Sequence, residues 1–542
     1  MPGKSSLLTL IKTISCALAA GHLPSLSEAD QVFLEENPAF IADVVEGLLA
    51  ELTKPGQPER LSAYAWLLSA LLEELRYQIE AGYDEAVQHV AAVQTRLAEA
   101  IRTGTGTPLM WHEILSTFRH ARVPLAPAVR AAFLGVGDAD APVLSPQMQE
   151  KATALLRPVL KAILESGIND PFALVDQIDE ILGDLYPPLI RVLLLVQMVE
   201  ESQPVLRDAA VLMLLDQAPA VREAAVTQVR AMCATGLLTL ESARRLPVIT
   251  RWLPPGEQTT DAVADLVRTG INRRLVVWPK PLPRLKFHAT ISDGAGAMSL
   301  YLMGGGDDKA LFGGLLFKEQ QGLVEVWCGY PTPRQQAEEF IRVARQEVSA
   351  FAVGPACVAD LVAHGLAVAS APLAGGAALL QLAELIGHKD WTPRRLDIAA
   401  VTADLPADLL HPEAITAALE RSRDWPDVHA FADSWFETGA VLDQVLENVD
   451  PHRQMTLEEM ETMEAAVLAQ VMTVRRRVWA ERFALSALMV RAAISPPRSL
   501  PPWPDFMILA KVLDEGRPLH DIPLMQTIAS QSILTAASGG SS

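Results

Sequence analysis

The chain has 542 residues, half of them apolar and only 6% aromatic, with 65 acidic side chains against 45 Lys and Arg. That length exceeds one ordinary core and implies roughly two to four structural units, and a composition rich in Ala, Leu and Val favours closely packed helices over a sheet-rich fold. The formal charge of −20 repels a phosphate backbone, so nucleic acid is excluded as the expected partner.

The N-terminus, "MPGKSSLLTLIKTISCALAAGHLPSLSEAD", has the Lys, apolar stretch and small residues of a signal peptide. Lys12 interrupts the apolar run, and an amphipathic first helix is the better expectation. Peripheral membrane association through the first 20 residues is a third-rank functional reading of this stretch. A strongly helical region without a readable repeat follows at 61–102. In "WHEILSTFRH", His112 and Glu113 match the first two places of the zincin motif, but Ser116 stands where the second His is required. His120 is about 12 Å of helical rise from His112, too far to share one zinc.

The segment "DQAPAVREAA" places Asp216, then Pro219 at a helix start, then Val221, Arg222, Ala224 and Ala225. Pro suits the first helical turn because its missing N–H has no partner to lose there. Upstream, "ESQPVLRDAA" repeats the pattern with Glu201, Pro204, Arg207, Ala209 and Ala210, and "DLYPPLIR" is a looser copy from Asp184 through Pro187 to Arg191. "PAVRAA" at 127–132 repeats its core. This unit resembles the HEAT repeat, a helical hairpin with an acid in the turn and a Val-Arg pair opening the second helix, here Asp216, Val221 and Arg222. The resemblance covers 184–235 and, more loosely, 120–255. It implies a stacked helical array. One departure is the spacing of 15 residues between copies, well under the usual repeat of roughly 40. Independently of the resemblance, Val221, Ala225, Val229 and Met232 share one helix face, with Arg222, Glu223 and Arg230 expected to turn away.

Three prolines in "VVWPKPLPRLKF", Pro279, Pro281 and Pro283, break the helical pattern. Then "LKFHATISD", "AMSLYLMG", "KALFGGLLFKE" and "LVEVWCGY" are short apolar or alternating runs separated by "DGAG", "GGGDD" and "QQG", the signature of an antiparallel meander. The glycine runs lead into strands, and Asp307 and Asp308 repel anions, so they read as hairpin turns and not as phosphate cradles. Thr332-Pro333-Arg334-Gln335 reads as a capping box opening a helix. The charge-poor stretch 361–383 is long enough to cross a bilayer, but Pro372, Gly375 and Gly376 break it, and two buried helices are expected. "GHKDW" at 387–391 reads as a helix end. Pro412 opens a further helix, Thr456 with Glu459 caps a long one, and Arg475, Arg476 and Arg477 read as a solvated helix face.

These patterns predict a mainly α chain: a HEAT/armadillo-like helical-repeat array within 1–280, a small α+β domain at 281–395, a C-terminal helical region at 396–535 and a flexible tail at 536–542. The four cysteines, Cys16, Cys233, Cys328 and Cys357, lack the clustering of a disulfide framework or zinc knuckle and read as reduced thiols. No complete catalytic motif is present, and neither cofactor nor metal is expected. The leading functional expectation is a cytoplasmic, non-enzymatic scaffold or adaptor binding a protein partner, with Arg191, Arg207, Arg222 and Arg230 as surface candidates. For each arginine, pairing with an acid of an adjacent repeat is the competing role. The alternative is a ligand-binding or enzymatic α+β domain using His288, Cys328, Cys357 and His364. No integral membrane segment is expected.

Overall fold

A computed structural model describes residues 2–134 apart from 23, 25, 36 and 55–57; 156–269 apart from 159, 162–164, 166, 184 and 185; and 277–537 apart from 330, 370–374, 448–455 and 496–499. Helices dominate, around one small antiparallel sheet. The N-terminal part holds α1 (Pro2–Ala19), α2 (Glu28–Glu35), α3 (Ile41–Leu52), α4 (Pro58–Glu80), α5 (Asp84–Arg102), α6 (Pro108–His120) and α7 (Pro127–Leu134). Leu7, Leu10, Ile11 and Ile14 are buried at helical spacing on α1, which packs on α4. The first helix is therefore amphipathic, with its apolar face already covered. Residues of the expected third repeat copy at Asp184 lie outside the described residues.

The next part runs through α8 (Pro171–Leu182), α9 (Pro188–Glu200), α10 (Pro204–Leu212), α11 (Pro219–Thr235), α12 (Leu240–Trp252) and α13 (Gln258–Thr269). Pro188, Pro204 and Pro219 each open a helix, as their fixed φ and absent N–H allow. Alternate helices pack: α8 with α10, and α9 with α11. α10 also touches α12, and α11 touches α13. Successive helices sharing one opening signal thus fall into two layers.

The sheet contains β1 (Lys286–Ala289), β2 (Ala297–Gly305), β3 (Lys309–Lys318), β4 (Gly322–Cys328), β5 (Thr332–Pro333) and β6 (Phe351–Val353), in the order β4-β3-β2-β1-β6 with β5 against β3. The four expected strands form the meander. β5 and β6 are additions too short to leave a periodic signal. α14 (Arg334–Glu347) precedes β6, and α15 (Ala356–Val368) and α16 (Gly376–Ile386) follow it. The expected capping box at Thr332 does not form: Thr332 pairs with Ala310 in the sheet and its hydroxyl has no hydrogen-bond partner. The ladder holds its backbone away from the capping geometry, and the Arg334 side chain instead reaches the Gly306 carbonyl at 3.0 Å.

The C-terminal part comprises α17 (Ile398–Thr402), α18 (Pro412–Ser422), α19 (Trp425–Val428), α20 (Ala440–Leu446), α21 (Leu457–Val467), α22 (Thr473–Arg491), α23 (Trp503–Asp514) and α24 (Pro523–Ala537). Thr456 and Glu459 form a complete capping box at the start of α21. Sheet and C-terminal helices share one apolar cluster that runs from Phe287 to Ile533. The β6 edge is also closed by this part, with Gly354 N–H on the Ala492 carbonyl at 2.8 Å and Ile494 N–H on Ala352 at 3.0 Å.

α16 explains the membrane-like stretch. Ala377 and Leu380 pack into the cluster of the α8–α13 helices, while Leu379, Leu382 and Ala383 pack into the sheet cluster. A helix wedged between two cores is apolar all round. Among the described residues no helix is long and apolar enough to cross a membrane. Pro372 lies outside the described residues.

Candidate functional site

The four candidate arginines separate sharply. Arg191 donates to Asp216 at 3.2 Å, and Asp216 also accepts the Ala218 N–H at 2.8 Å, fixing the turn into α11. Arg207 donates to the Ser202 carbonyl at 2.7 Å. Arg222 is 1% exposed: its Nη1 reaches the carbonyls of Asp216 and Gln217, and its Nε and Nη2 grip Glu257 at 3.2 and 2.5 Å. Its expected outward orientation is therefore corrected. The guanidinium turns in because the carbonyls and Glu257 give it partners that a fully solvated face lacks. Arg230 alone is exposed without an ion pair or hydrogen bond among the described residues. It shares an exposed stripe of α11 with Glu223, Thr227 and Ala234.

One side of this helical part is occupied by the chain itself. α16 touches α8 and α12, and Arg245 of α12 holds Glu384 of α16 in a bidentate pair at 2.7 and 3.1 Å, both residues buried. Arg251 reaches the Lys389 carbonyl at 2.5 Å and Trp252 donates to the Trp391 carbonyl at 2.9 Å. The "GHKDW" run is thus a helix end docked on α12, with Gly387 in the left-handed conformation after α16.

The alternative ligand set is not brought together. Strand register places His288 in a row with Tyr301, Gly314 and Trp327, whereas Cys328 lies in the row of Phe287, Leu302 and Gly313 on the opposite face. His364 lies tilted against Phe317 of that second face, 5.5 Å between ring centroids. Its Nδ1 accepts the Leu396 N–H at 2.9 Å, which leaves Nε2 as the protonated nitrogen of the neutral ring. Burial, with Arg395 and Arg477 adding to it, pushes His364 down to about 4. Cys357 lies two turns away on α15, about 10 Å of rise, donating to the Gly354 carbonyl at 3.1 Å. Burial pushes the thiols of Cys328 and Cys357 up to about 12, far from a nucleophilic thiolate at neutral pH. His288 is likewise lowered, first by burial and then by Arg345 and Lys286. Among the described residues no group of three His, Cys, Asp or Glu is placed to hold a metal ion.

Sequence reasoning missed a buried polar seam between the sheet and the C-terminal helices. Arg482, 1% exposed, grips Glu319 of the β3–β4 turn at 2.5 and 2.9 Å and lies 4.0 Å over the Trp479 ring. Glu437, also buried, accepts from Trp479 Nε1 and from Arg475, each at 2.7 Å. The "DGAG" turn docks here: Gly294 donates to Ser434 Oγ at 3.0 Å, and a Cβ at Gly294 would sit 1.8 Å from the Ser434 carbonyl oxygen. The "VRRR" run is solvated in part: Val474 and Arg477 are exposed, with Arg477 on Asp514 at 2.6 Å, while Arg476 is tied to the Arg517 carbonyl at 2.6 Å. The signal for this seam was a glycine turn and an Arg-Trp pairing whose partners are more than a hundred residues away.

Clefts with charged walls among the described residues include the following three. One of 240 Å³ lies where α8, α9 and the start of α16 meet, and its Arg119 and Arg191 are already bonded. One of 670 Å³ borders α15 and α17, with Arg394 on Asp360 and Arg491 on Asp404. The third, of 780 Å³, lies between α14, β6 and residues 428–431.

Two of the three helical parts overlap segments that family models match. The Y4lR second domain matches residues 187–273, and the Y4lR C-terminal helical domain matches residues 396–537. The chain is similar to the uncharacterized protein y4lR of Sinorhizobium fredii (strain NBRC 101917 / NGR234), 23% identical over 490 residues that cover 88% of this chain and 89% of that one. No solved structure matches.

Proposed function

We propose that this protein is a cytoplasmic scaffold or adaptor whose α8–α13 helices form a HEAT-like array that binds a protein partner. The observation that carries the reading is the two-layer packing of these helices: the α8–α10–α12 layer is taken up by the chain's own α16, and the α9–α11–α13 layer keeps an exposed stripe around Arg230. Stacked helical pairs present extended surfaces of this kind, suited to recognition by shape and charge. Arg191 and Arg222 then act within the array, joining turns to the helices beside them, and Arg230 is the residue left for partner contact. Arg207, bonded to Ser202, caps its own turn.

Crosslinked affinity purification from the native lysate, with parent protein and Arg230→Glu side by side, tests this. A stoichiometric partner held by the parent and lost from the folded variant is the expected result. Equal recovery by both would remove Arg230 and its stripe from the binding surface. A second reading, ligand binding by the α+β part, draws on the 780 Å³ cleft.

A further inference from the structure

The third cleft differs from the other two in its charge. Its wall includes Arg342, Arg345 and His429, and among its described lining residues there is no carboxylate. That is an unusual enclave in a chain of net charge −20. Arg342 is held by Glu339 at 2.7 Å and by Gln346 at 2.6 Å, so its guanidinium is oriented but engaged. Arg345 makes no ion pair with any described residue. His288 pairs with Ala352 in register and so shares its sheet face beside the cleft. It is 6% exposed and its Nδ1 has no hydrogen-bond partner.

The rest of the cleft is apolar. Ile291, Phe351, Phe431 and Leu500 line it, and His429 stacks on Phe431 at 5.4 Å. Val428 in its wall is 68% exposed, and Val348 and Ile494, next in sequence to the lining residues Ser349 and Ser495, are 47% and 72% exposed. The volume suits a ligand of small-molecule size. One available guanidinium matches one negative charge, and its planar fork fits a carboxylate with two parallel hydrogen bonds.

We propose that the cleft between α14, β6 and residues 428–431 binds a small organic carboxylate with an aliphatic or aromatic body, its head on Arg345 and its body against Phe431 and Leu500. This site is independent of the scaffold reading and gives the α+β part a ligand class. The occupied cleft would span the α+β and C-terminal parts, since α14 and β6 supply one wall and residues 428–431 the other.

The test uses the full-length protein and the fluorescent aromatic monoanion 1-anilinonaphthalene-8-sulfonate as probe, with decanoate and decan-1-ol as competitors. Expected are saturable probe binding, displacement by decanoate, and displacement by decan-1-ol at least about tenfold weaker. Arg345→Gln, an exposed position, and Ala430→Trp, which fills the mouth, should each weaken decanoate about tenfold or more, while Arg394→Gln in the neighbouring cleft should not. Equal competition by the alcohol and the acid would overturn the proposal. So would parental decanoate affinity in either Arg345→Gln or Ala430→Trp.

Discussion

The helical array and the seam beneath the sheet solve the same problem, burying arginine, in different ways. Within α8–α13 the pairs are short in sequence, Arg191 to Asp216 and Arg222 to Glu257, and the acid of the second remains 30% exposed, although Arg245 of α12 reaches out of the array to Glu384 of α16. In the seam the partners come from distant stretches of chain, Arg482 with Glu319, and both side chains are buried. The first arrangement organises a local stack and ends at solvent. The second welds the C-terminal helices to the sheet, so that a change there acts on two parts of the chain at once.

The largest effect should come from breaking the weld. Arg482→Met leaves Glu319 buried without its partner and should cost about 3–5 kcal/mol, read as a drop in denaturant midpoint. Gly294→Ala should destabilise by a comparable amount, because its Cβ meets the Ser434 backbone. In the array, Arg222→Met should cost less, about 2–3 kcal/mol, since Glu257 can recover water while two carbonyls lose a donor. Arg230→Glu should change stability by under about 0.5 kcal/mol, as expected of an exposed residue without partners. Equal costs at Arg482 and Arg222 would erase the distinction between the two regions.

A smaller effect is pH-dependent. His364 titrates near 4 in the folded chain and at an ordinary 6.5 when unfolded, so the unfolded state takes up the proton first as pH falls. Its contribution is intact above pH 6.5, is lost progressively toward pH 4, and amounts to about 3 kcal/mol in full. His364→Gln should flatten the stability profile across that window; an unchanged slope would show that other groups set it. Smallest is a kinetic difference among the thiols. Cys16 is exposed and should be alkylated by iodoacetamide well before Cys357, which is buried with its thiol near 12.

How much of this was legible in the sequence follows the same division. Pro204 and Pro219 announced helix starts, Asp293-Gly294 a turn, and Thr456 with Glu459 a cap, because each signal and its effect lie within one or two turns of chain. Thr332 carried an equally good local signal and lost to a strand pairing with Ala310, a contact the local pattern does not contain. Arg222 looked like a surface residue because its periodicity places it off the apolar face; its partner Glu257 is 35 residues on. The charge-poor run at 361–383 was long enough to cross a bilayer, and its second half is apolar all round because α16 packs between two separate cores. The 780 Å³ cleft was invisible for the same reason: α14, β6 and residues 428–431 supply its walls from distant stretches of chain.

The most direct test of the scaffold proposal is site-specific photo-crosslinking in the native lysate, with the photoreactive residue at position 230 on α11 and, as control, at the exposed Val474 on α22. The proposal predicts a discrete protein adduct from position 230 and none from position 474. Adducts at neither position, or the same adducts at both, would contradict it.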